Sequence, residues 1–230
     1  MKHFMAAAAL ALAGSTVAVA EPNLEPGEVF AKALECSETN KDLKASFTLN
    51  FRRLNSTWVT HRYDAATQEW TFLSGNLDSL KKRGRLAFEK LSQEVGKTGG
   101  LVPKDLQDTV TNLEYLHDEN GDHIYSFTPL AQKGEKSMPE AMVNALDRRF
   151  AIDSQSLCAS ALSMEATKPF KPGKMTNIDS FAFAYHFEQN GSSDIPLLSG
   201  FTSASKGKSF FASFEEDIEV TITDVVILDQ

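Results

Sequence analysis

The sequence predicts an α+β fold built on one large antiparallel sheet of about ten strands. Apolar and polar residues alternate along most of the last third of the chain, which is typical of half-buried strands. Apolar residues at helical spacing are confined to the first two-thirds. Short connections rich in Gly, Asn and Asp separate the strand-like segments, and such connections favour antiparallel pairing.

The chain opens with a segment typical of a cleavable secretory signal peptide, residues 1–20. A basic start at Lys2 precedes an apolar run from Phe4 to Ala13, and Ala18-Val19-Ala20 places small residues at a cleavage site. That run is shorter than the roughly 20 residues that a membrane-spanning helix needs. We therefore expect a mature chain of residues 21–230, a single domain with no integral membrane segment, in the periplasm or secreted. A buried N-terminal helix is the alternative.

The composition indicates a folded protein with an acidic surface. The formal net charge is −8, and it becomes −9 without the leader, which carries one Lys and no acidic residue. Hydrophobic residues make up 42% of the chain, which disfavours disorder. The acidic balance argues against a nucleic-acid partner, because phosphate binding needs a basic excess. It also argues, more weakly, against tight adhesion to anionic lipid surfaces.

Cys36 and Cys158 are the two cysteines of the chain. In an oxidising compartment, two cysteines and no more suggest a single disulfide. It would close a loop of more than a hundred residues, worth roughly 4–5 kcal/mol in the chain-entropy description. Two independent buried thiols are the alternative. A metal site is disfavoured because neither cysteine has a CxxC partner or a nearby His.

The first half of the chain alternates between helical and strand-like patterns. Val29, Ala33 and Leu34 fall on one helical face, whereas Phe47 and Leu49 alternate with polar residues. The predicted elements are a helix over Leu24–Cys36, strands over Ala45–Leu54, Trp58–Tyr63 and Glu69–Leu73, and helices over Leu77–Val95 and Leu101–Val110.

The second half is predominantly strand-like. Asn120-Gly121 is a type I′ turn signal, Pro139 suits the first position of a helix, and Lys206-Gly207 indicates a turn. The apolar alternation shifts phase at Thr223-Asp224, which predicts a β-bulge. The predicted elements are a hairpin over Leu113–Pro129, a helix over Pro139–Arg149, and strands over Phe150–Asp153, Leu157–Ala166, Ile178–Glu188, Leu197–Ser205, Lys208–Glu216 and Glu219–Leu228.

The order of these elements resembles the LolA-like fold of periplasmic lipoprotein carriers. A nearer resemblance is to a family of uncharacterised secreted proteobacterial proteins, carried by Arg62-Tyr63-Asp64, Trp70-Thr71-Phe72-Leu73, Tyr125-Ser126-Phe127-Thr128-Pro129 and the ending Gly200 to Asp224. The resemblance implies an unclosed half-barrel whose concave face is lined with apolar side chains and covered by helices. It implies no catalytic residues.

Three sets of polar residues could each have a chemical function, and each can also be explained as an ordinary structural feature. The acidic turn Asp118–Asp122 between His117 and His123 lacks the ligand spacing of an EF-hand loop, so a solvated hairpin turn is favoured. His61 and His186 each lie in a predicted strand without a GxSxG or cysteine nucleophile motif. The basic run on the helix over Leu77–Val95 is typical of a solvated side. We therefore expect no enzyme, no metal and no cofactor.

Aromatic alternation supplies the main functional hypothesis. The chain contains 16 Phe, and the side chains that would line one sheet face are Phe47, Leu49, Phe51, Phe181, Phe183, Tyr185 and Phe187. Burying apolar surface is worth about 25 cal/mol per Å², so such a face needs a cover. Helices would cover it if the core is filled, and an apolar ligand would occupy it if a cavity remains.

We therefore predict a periplasmic, non-enzymatic protein that binds or carries a lipid or a lipidated protein on the concave face of its sheet. The alternative is a structural or protein-interaction module of the cell envelope, with a fully packed core and no small ligand. The sequence indicates neither the ligand nor the oligomeric state.

Overall fold

The structure, a computed structural model, describes residues 25–38, 43–54, 56–97, 110–129, 140–189, 196–210 and 212–228. The expected signal peptide, residues 1–20, lies outside the described residues. So does the helix predicted over Leu101–Val110, except for Val110, which begins a strand.

Helices are few and strands dominate the described ranges. The helices are α1 (Pro26–Glu38), α2 (Lys81–Lys97) and the short α3 (Glu140–Val143), with a 3₁₀ turn over Leu77–Leu80 leading into α2. The strands are β1 (Ala45–Arg53), β2 (Val59–Asp64), β3 (Glu69–Ser74), β4 (Val110–Glu119), β5 (Asp122–Pro129), β6 (Leu146–Asp153), β7 (Ala159–Ala166), β8 (Phe170–Gly173), β9 (Thr176–Gln189), β10 (Pro196–Ser209) and β11 (Ala212–Ile227). None of the helices described is long and apolar enough to cross a bilayer.

All eleven strands join one antiparallel sheet. Its order is β3-β2-β1-β11-β10-β9-β7-β6-β5-β4, and β8 pairs with β9 off this path. Among the described strands, the last, β11, pairs with the first, β1, in the interior of the sheet. β3 and β4 stand at opposite ends of the order, so the sheet is not closed. The predicted large antiparallel sheet is confirmed, with eleven strands instead of about ten.

One face of the sheet is apolar because directly opposed residues of neighbouring strands project to the same side. In β1, Leu49 lies opposite His61 of β2 and Ile222 of β11. Phe51 lies opposite Val59 and Val220 in the same way. These apolar side chains belong to one core cluster that spans most of the sheet.

Both longer helices contribute side chains to that cluster. Val29 and Ala33 of α1 are buried one helical turn apart, and the Phe30 ring lies 6.1 Å from the Phe150 ring of β6. In α2, the Phe88 ring packs edge-on against Phe51 with their centroids 5.4 Å apart. The apolar residues at helical spacing in the sequence therefore contact β1 and β6 in the structure.

The predicted disulfide is present. Cys36 of α1 and Cys158, just before β7, are bonded with their Cα atoms 5.7 Å apart. Cys158 follows a tight turn in which the Asp153 carboxylate accepts hydrogen bonds from the Ser156 amide and hydroxyl, each at 2.7 Å. The bond therefore ties the first helix to the turn between β6 and β7, which lie on the far side of the sheet from β1 in the strand order.

The helix predicted over Pro139–Arg149 is wrong for most of its length. Only Glu140–Val143 is helical, and β6 begins at Leu146. Leu146 and Phe150 are four residues apart, a spacing that suits a helix and a strand equally well. Pairing with β5 on one side and β7 on the other decides in favour of the strand, because it satisfies the backbone and buries Ile152 on the same face.

The turn predicted at Lys206-Gly207 is also wrong, since β10 continues through it to Ser209. The pairing register with β9 shifts between these two residues, which marks a bulge. Gly207 is required there because a Cβ atom would lie 2.2 Å from the Asn177 carbonyl oxygen. The bulge predicted at Thr223-Asp224 is confirmed by the register shift opposite β1 and by a positive φ of 52° at Asp224.

Candidate ligand-binding site

The structure brings the seven predicted ligand residues onto one face of the sheet. A row of directly opposed residues connects the two strands that carry them, and it runs Phe51, Val220, Phe201, Tyr185. Phe181, Phe183 and Phe187 share that side with Tyr185 because side chains alternate along β9. Sequence alternation therefore predicted the shared face of β1 and β9 correctly.

Burial divides these residues into two groups. Phe47, Leu49 and Phe51 are at most 1% exposed. The Phe47 ring contacts Tyr63 at 5.3 Å and Trp70 at 5.6 Å between centroids, and Phe88 of α2 packs on Phe51. This end of the face is a filled core that leaves no surface for a ligand on these three side chains.

The second group lies on the long strands β9 and β10 and is only partly covered by the described residues. We call Phe181, Phe183, Tyr185 and Phe201 the aromatic patch; each of them is half-buried. The Phe183 ring stands edge-on to Tyr185 at 4.7 Å, and Tyr185 lies 5.8 Å from Phe201. Phe187, further along β9, is 7% exposed and belongs to the core.

Two arginines lie on this same face. Arg53, at the end of β1, is paired with Glu216 of β11, and the hydrogen bonding that it donates to that carboxylate raises the Arg53 pKa above its ordinary value. Arg148 of β6 has a different environment. Its Nε and Nη1 atoms are buried and have no hydrogen-bond partner among the described residues.

Two pockets open on the described surface, and neither is built from the aromatic patch as a whole. One, of about 300 Å³, includes Phe183 but is lined mainly by residues of the opposite face, such as Asp147, Arg149 and Glu165. The other, of about 490 Å³, lies beside the turn after β6 and includes Phe187 among polar neighbours. An acyl chain suits neither lining, so the aromatic patch is the candidate surface for an apolar ligand.

His61 is enclosed by aromatic rings and does not form a catalytic arrangement. Its ring lies 4.6 Å from Phe88 and 5.3 Å from Phe72, and its Nε2 atom is buried without a described partner. Burial lowers the pKa of this imidazole because the charged form loses its hydration. His186 lies exposed on the other face, opposite Ala161, so the two histidines are not brought together.

We expect His61 to make the protein less stable in mild acid. Its pKa is lowered in the folded state, so the unfolded chain binds the proton more tightly. The stabilisation is complete above the unfolded value of about 6.5 and is lost as the pH falls through the folded pKa. Urea unfolding from about pH 7 to about pH 5 should therefore show a loss of stability that is smaller in His61→Gln. His186→Gln is the matched control and should follow the wild type; an unchanged pH profile in His61→Gln would contradict the expectation.

The acidic turn between β4 and β5 is a solvated hairpin turn. Asn120 and Gly121 both have positive φ, 54° and 93°, as the Asn-Gly signal predicts. His123 donates from Nδ1 to the Asp118 carboxylate at 2.6 Å, and this hydrogen bond is the main cause of the lowered pKa of Asp118. In the portion of the chain that the structure describes, no three His, Cys, Asp or Glu side chains are grouped as a metal site.

Sequence reasoning missed Arg148 and Phe201. Arg148 was assigned to a helix, so its place on the apolar face was not visible, although Leu146, Arg148, Phe150 and Ile152 follow strand alternation. Phe201 lies in a segment of small and polar residues whose period is weak, and its position follows only from pairing with Tyr185.

No family model matches the chain, and no curated protein sequence matches it. A crystal structure of a LolA superfamily protein from Nitrosomonas europaea is similar to it, with 10% identity, a TM-score of 0.38, and coverage of 90% of this chain and 95% of that chain. The crystal structure of MucB in complex with MucA(peri) is also similar, with 8% identity, a TM-score of 0.26, and coverage of 87% and 94%. At such identities and TM-scores neither likeness indicates a ligand or an activity.

Proposed function

We propose that this chain is a non-enzymatic protein of the periplasm or the cell exterior that binds the acyl chain of a lipid or of a lipidated protein against the aromatic patch. The observation that carries the proposal is the contrast in burial along one sheet face. Phe51 and its neighbours in β1 are sealed, whereas Phe183 and Tyr185 are left half-buried. An acyl chain laid on these rings would complete their burial at about 25 cal/mol per Å² of apolar surface.

In this proposal the mature chain, residues 21–230, is one domain, and its helices cover the concave face of the sheet and control access to the patch. The contacts of Phe88 with Phe51 and of Phe30 with Phe150 support a covering role for α2 and α1. The Cys36–Cys158 bond supports an oxidising compartment, where such bonds persist. Binding would need no catalytic group, metal or cofactor.

A packed structural or protein-interaction module is the second candidate function. The complete burial of Phe47, Leu49 and Phe51 favours it, because this part of the face already behaves as an ordinary core. The two functions differ in what they require of the aromatic patch. A module with a filled core needs Phe183 for stability, whereas a carrier needs it for the ligand.

The proposal predicts that the purified protein binds a fluorescent acyl probe, dansyl-labelled undecanoic acid, with a blue shift and increased emission as the dansyl group leaves water. Native mass spectrometry of protein from its own compartment should show a bound lipid. Phe183→Asn should weaken probe binding at least roughly tenfold, because a polar amide on the patch lacks a partner there.

Phe210→Asn is the matched control for that variant. Phe210 is a phenylalanine at the end of β10 that is 69% exposed and lies outside the patch, so probe binding should remain at the wild-type level. Absence of any bound lipid together with no uptake of the probe by the wild-type protein would refute the proposed function. A stoichiometric protein partner without lipid would favour the structural module instead.

A further inference from the structure

We propose that Arg148 binds the head group of the ligand, which makes the ligand a single-chain amphiphile with an oxyanion head, a carboxylate or a phosphate. This inference rests on the proposed function, because it assigns the polar end of a ligand whose acyl chain lies on the aromatic patch. Two observations support it: the position of Arg148 in the sheet, and the lack of a hydrogen-bond partner for its buried Nε and Nη1 atoms.

Arg148 lies in the same row of opposed residues as the centre of the patch. It pairs with Met164 of β7, and Met164 pairs with Phe183 of β9, so all three side chains project from the same face. Two adjacent strand spacings of about 4.8 Å separate Arg148 from Phe183. An acyl chain packed on Phe183 therefore has its polar end within reach of the guanidinium group.

Two of the three guanidinium nitrogens of Arg148 lack a hydrogen-bond partner. Nε and Nη1 are buried and find no acceptor among the residues that the structure describes. A buried N–H donor without an acceptor is unfavourable, because it has lost water without gaining another partner. Nε and Nη1 lie on different edges of the guanidinium group, and each can donate one charge-assisted hydrogen bond to an oxyanion oxygen.

Arg53 shows how an arginine on this face is paired with a carboxylate of the chain itself. The row that contains Arg148 continues through Phe183, Ser203 and Ile218 and ends at Arg53. There the guanidinium donates hydrogen bonds from Nε and Nη2 to the Glu216 carboxylate of the neighbouring strand. The described residues place a carboxylate beside Arg53 at one end of the row. They provide no acceptor for Nε and Nη1 of Arg148 at the other end, next to the aromatic patch.

Arg149 provides a control of the same charge on the same strand. It lies opposite Ser163 and Ser126, on the other face of the sheet, and donates from Nε to Asp147 at 2.9 Å. Replacing Arg149 by glutamine changes the net charge by the same amount as replacing Arg148, but leaves the apolar face as it is.

The test compares dansyl-labelled undecanoic acid with its methyl ester, at a pH of about 8, where the carboxylic acid is ionised. The wild-type protein should bind the acid roughly tenfold more tightly than the ester, or better, which is the range expected for a hydrogen-bonded charge pair. Arg148→Gln should reduce this ratio to about one and leave ester binding unchanged. Arg148→Lys should retain part of the ratio, and Arg149→Gln should retain all of it.

Several outcomes would overturn the inference and are distinguishable from failure of the proposed function. If the wild type binds acid and ester equally, the acyl site stands and the assignment of Arg148 falls. If Arg148→Gln lowers stability to urea while the ratio persists, Arg148 serves the fold. Displacement of the probe by acetate or inorganic phosphate at matched concentration would show a free-anion site instead of a head-group site. If neither probe binds at all, the proposed function itself fails.

Discussion

Replacing both Cys36 and Cys158 by serine should lower the free energy of unfolding by about 5 kcal/mol. The bond joins residues 122 positions apart, so it restricts the unfolded chain far more than it restricts the folded one. Because a domain of this size has a total stability of only about 5–15 kcal/mol, the variant should unfold at a much lower urea concentration. The slope of the transition is expected to change as well, since an uncrosslinked unfolded chain exposes more surface.

The matched control for this variant is the wild-type sequence with its disulfide reduced. It should unfold at nearly the same urea concentration as the double serine variant, which separates the effect of the bond from that of two buried hydroxyl groups. Thiol titration of the denatured, unreduced protein should find no free thiol, because both cysteines are engaged in the bond. Two titratable thiols, or equal stability with and without reductant, would contradict the prediction.

Much of the fold could be predicted from the sequence because its signals are local. The strand predicted over Ala45–Leu54 is β1, which ends at Arg53, and the Asn120-Gly121 hairpin joins β4 to β5 as expected. These segments combine alternation with unambiguous turn residues, so local preference and strand pairing agree. The Cys36–Cys158 bond was favoured over two independent thiols because the chain has two cysteines and the leader indicates an oxidising compartment.

The errors fall where a local signal fits two structures and a distant contact decides between them. Leu146 and Phe150 suit a helix or a strand, and only the flanking strands β5 and β7 select the strand. Lys206-Gly207 resembles a turn, yet it lies within a continuous strand, where the close approach of the Asn177 carbonyl leaves no room for a Cβ atom at Gly207. The short strand β8 was missed because four residues ending in Pro172-Gly173 carry too little alternation to identify.

The sequence predicted that the candidate residues share one face of the sheet, but not their division into buried core and half-buried patch. Alternation placed Leu49 and Phe183 on the same face, and the register agrees, because their i+2 neighbours Phe51 and Tyr185 lie in one row. It could not indicate that Leu49 would be sealed and Phe183 left half-buried, because that depends on how helices and strands pack in space. Arg148 was not identified as a candidate residue, because the face on which it lies is defined only once β6 is recognised as a strand.

Phe51→Ala and Phe183→Ala should separate core from ligand surface. Phe51 is 1% exposed and packs edge-on against Phe88, so its truncation leaves a cavity under α2 and should cost about 3–5 kcal/mol of stability. Phe183 is half-buried, so its truncation removes less contact and should cost only about 1–2 kcal/mol. Urea unfolding of the two variants beside the wild type measures both costs.

The same pair of variants decides between the two candidate functions when acyl-probe binding is measured alongside stability. If the aromatic patch receives a ligand, Phe183→Ala is the milder variant for folding and the more severe one for binding, whereas Phe51→Ala shows the reverse order under conditions where it stays folded. If the face is only a packed core, neither truncation has a binding phenotype, and each costs stability in proportion to its burial. These two results exclude each other, because a side chain that already has a full set of protein contacts has no surface left for a ligand.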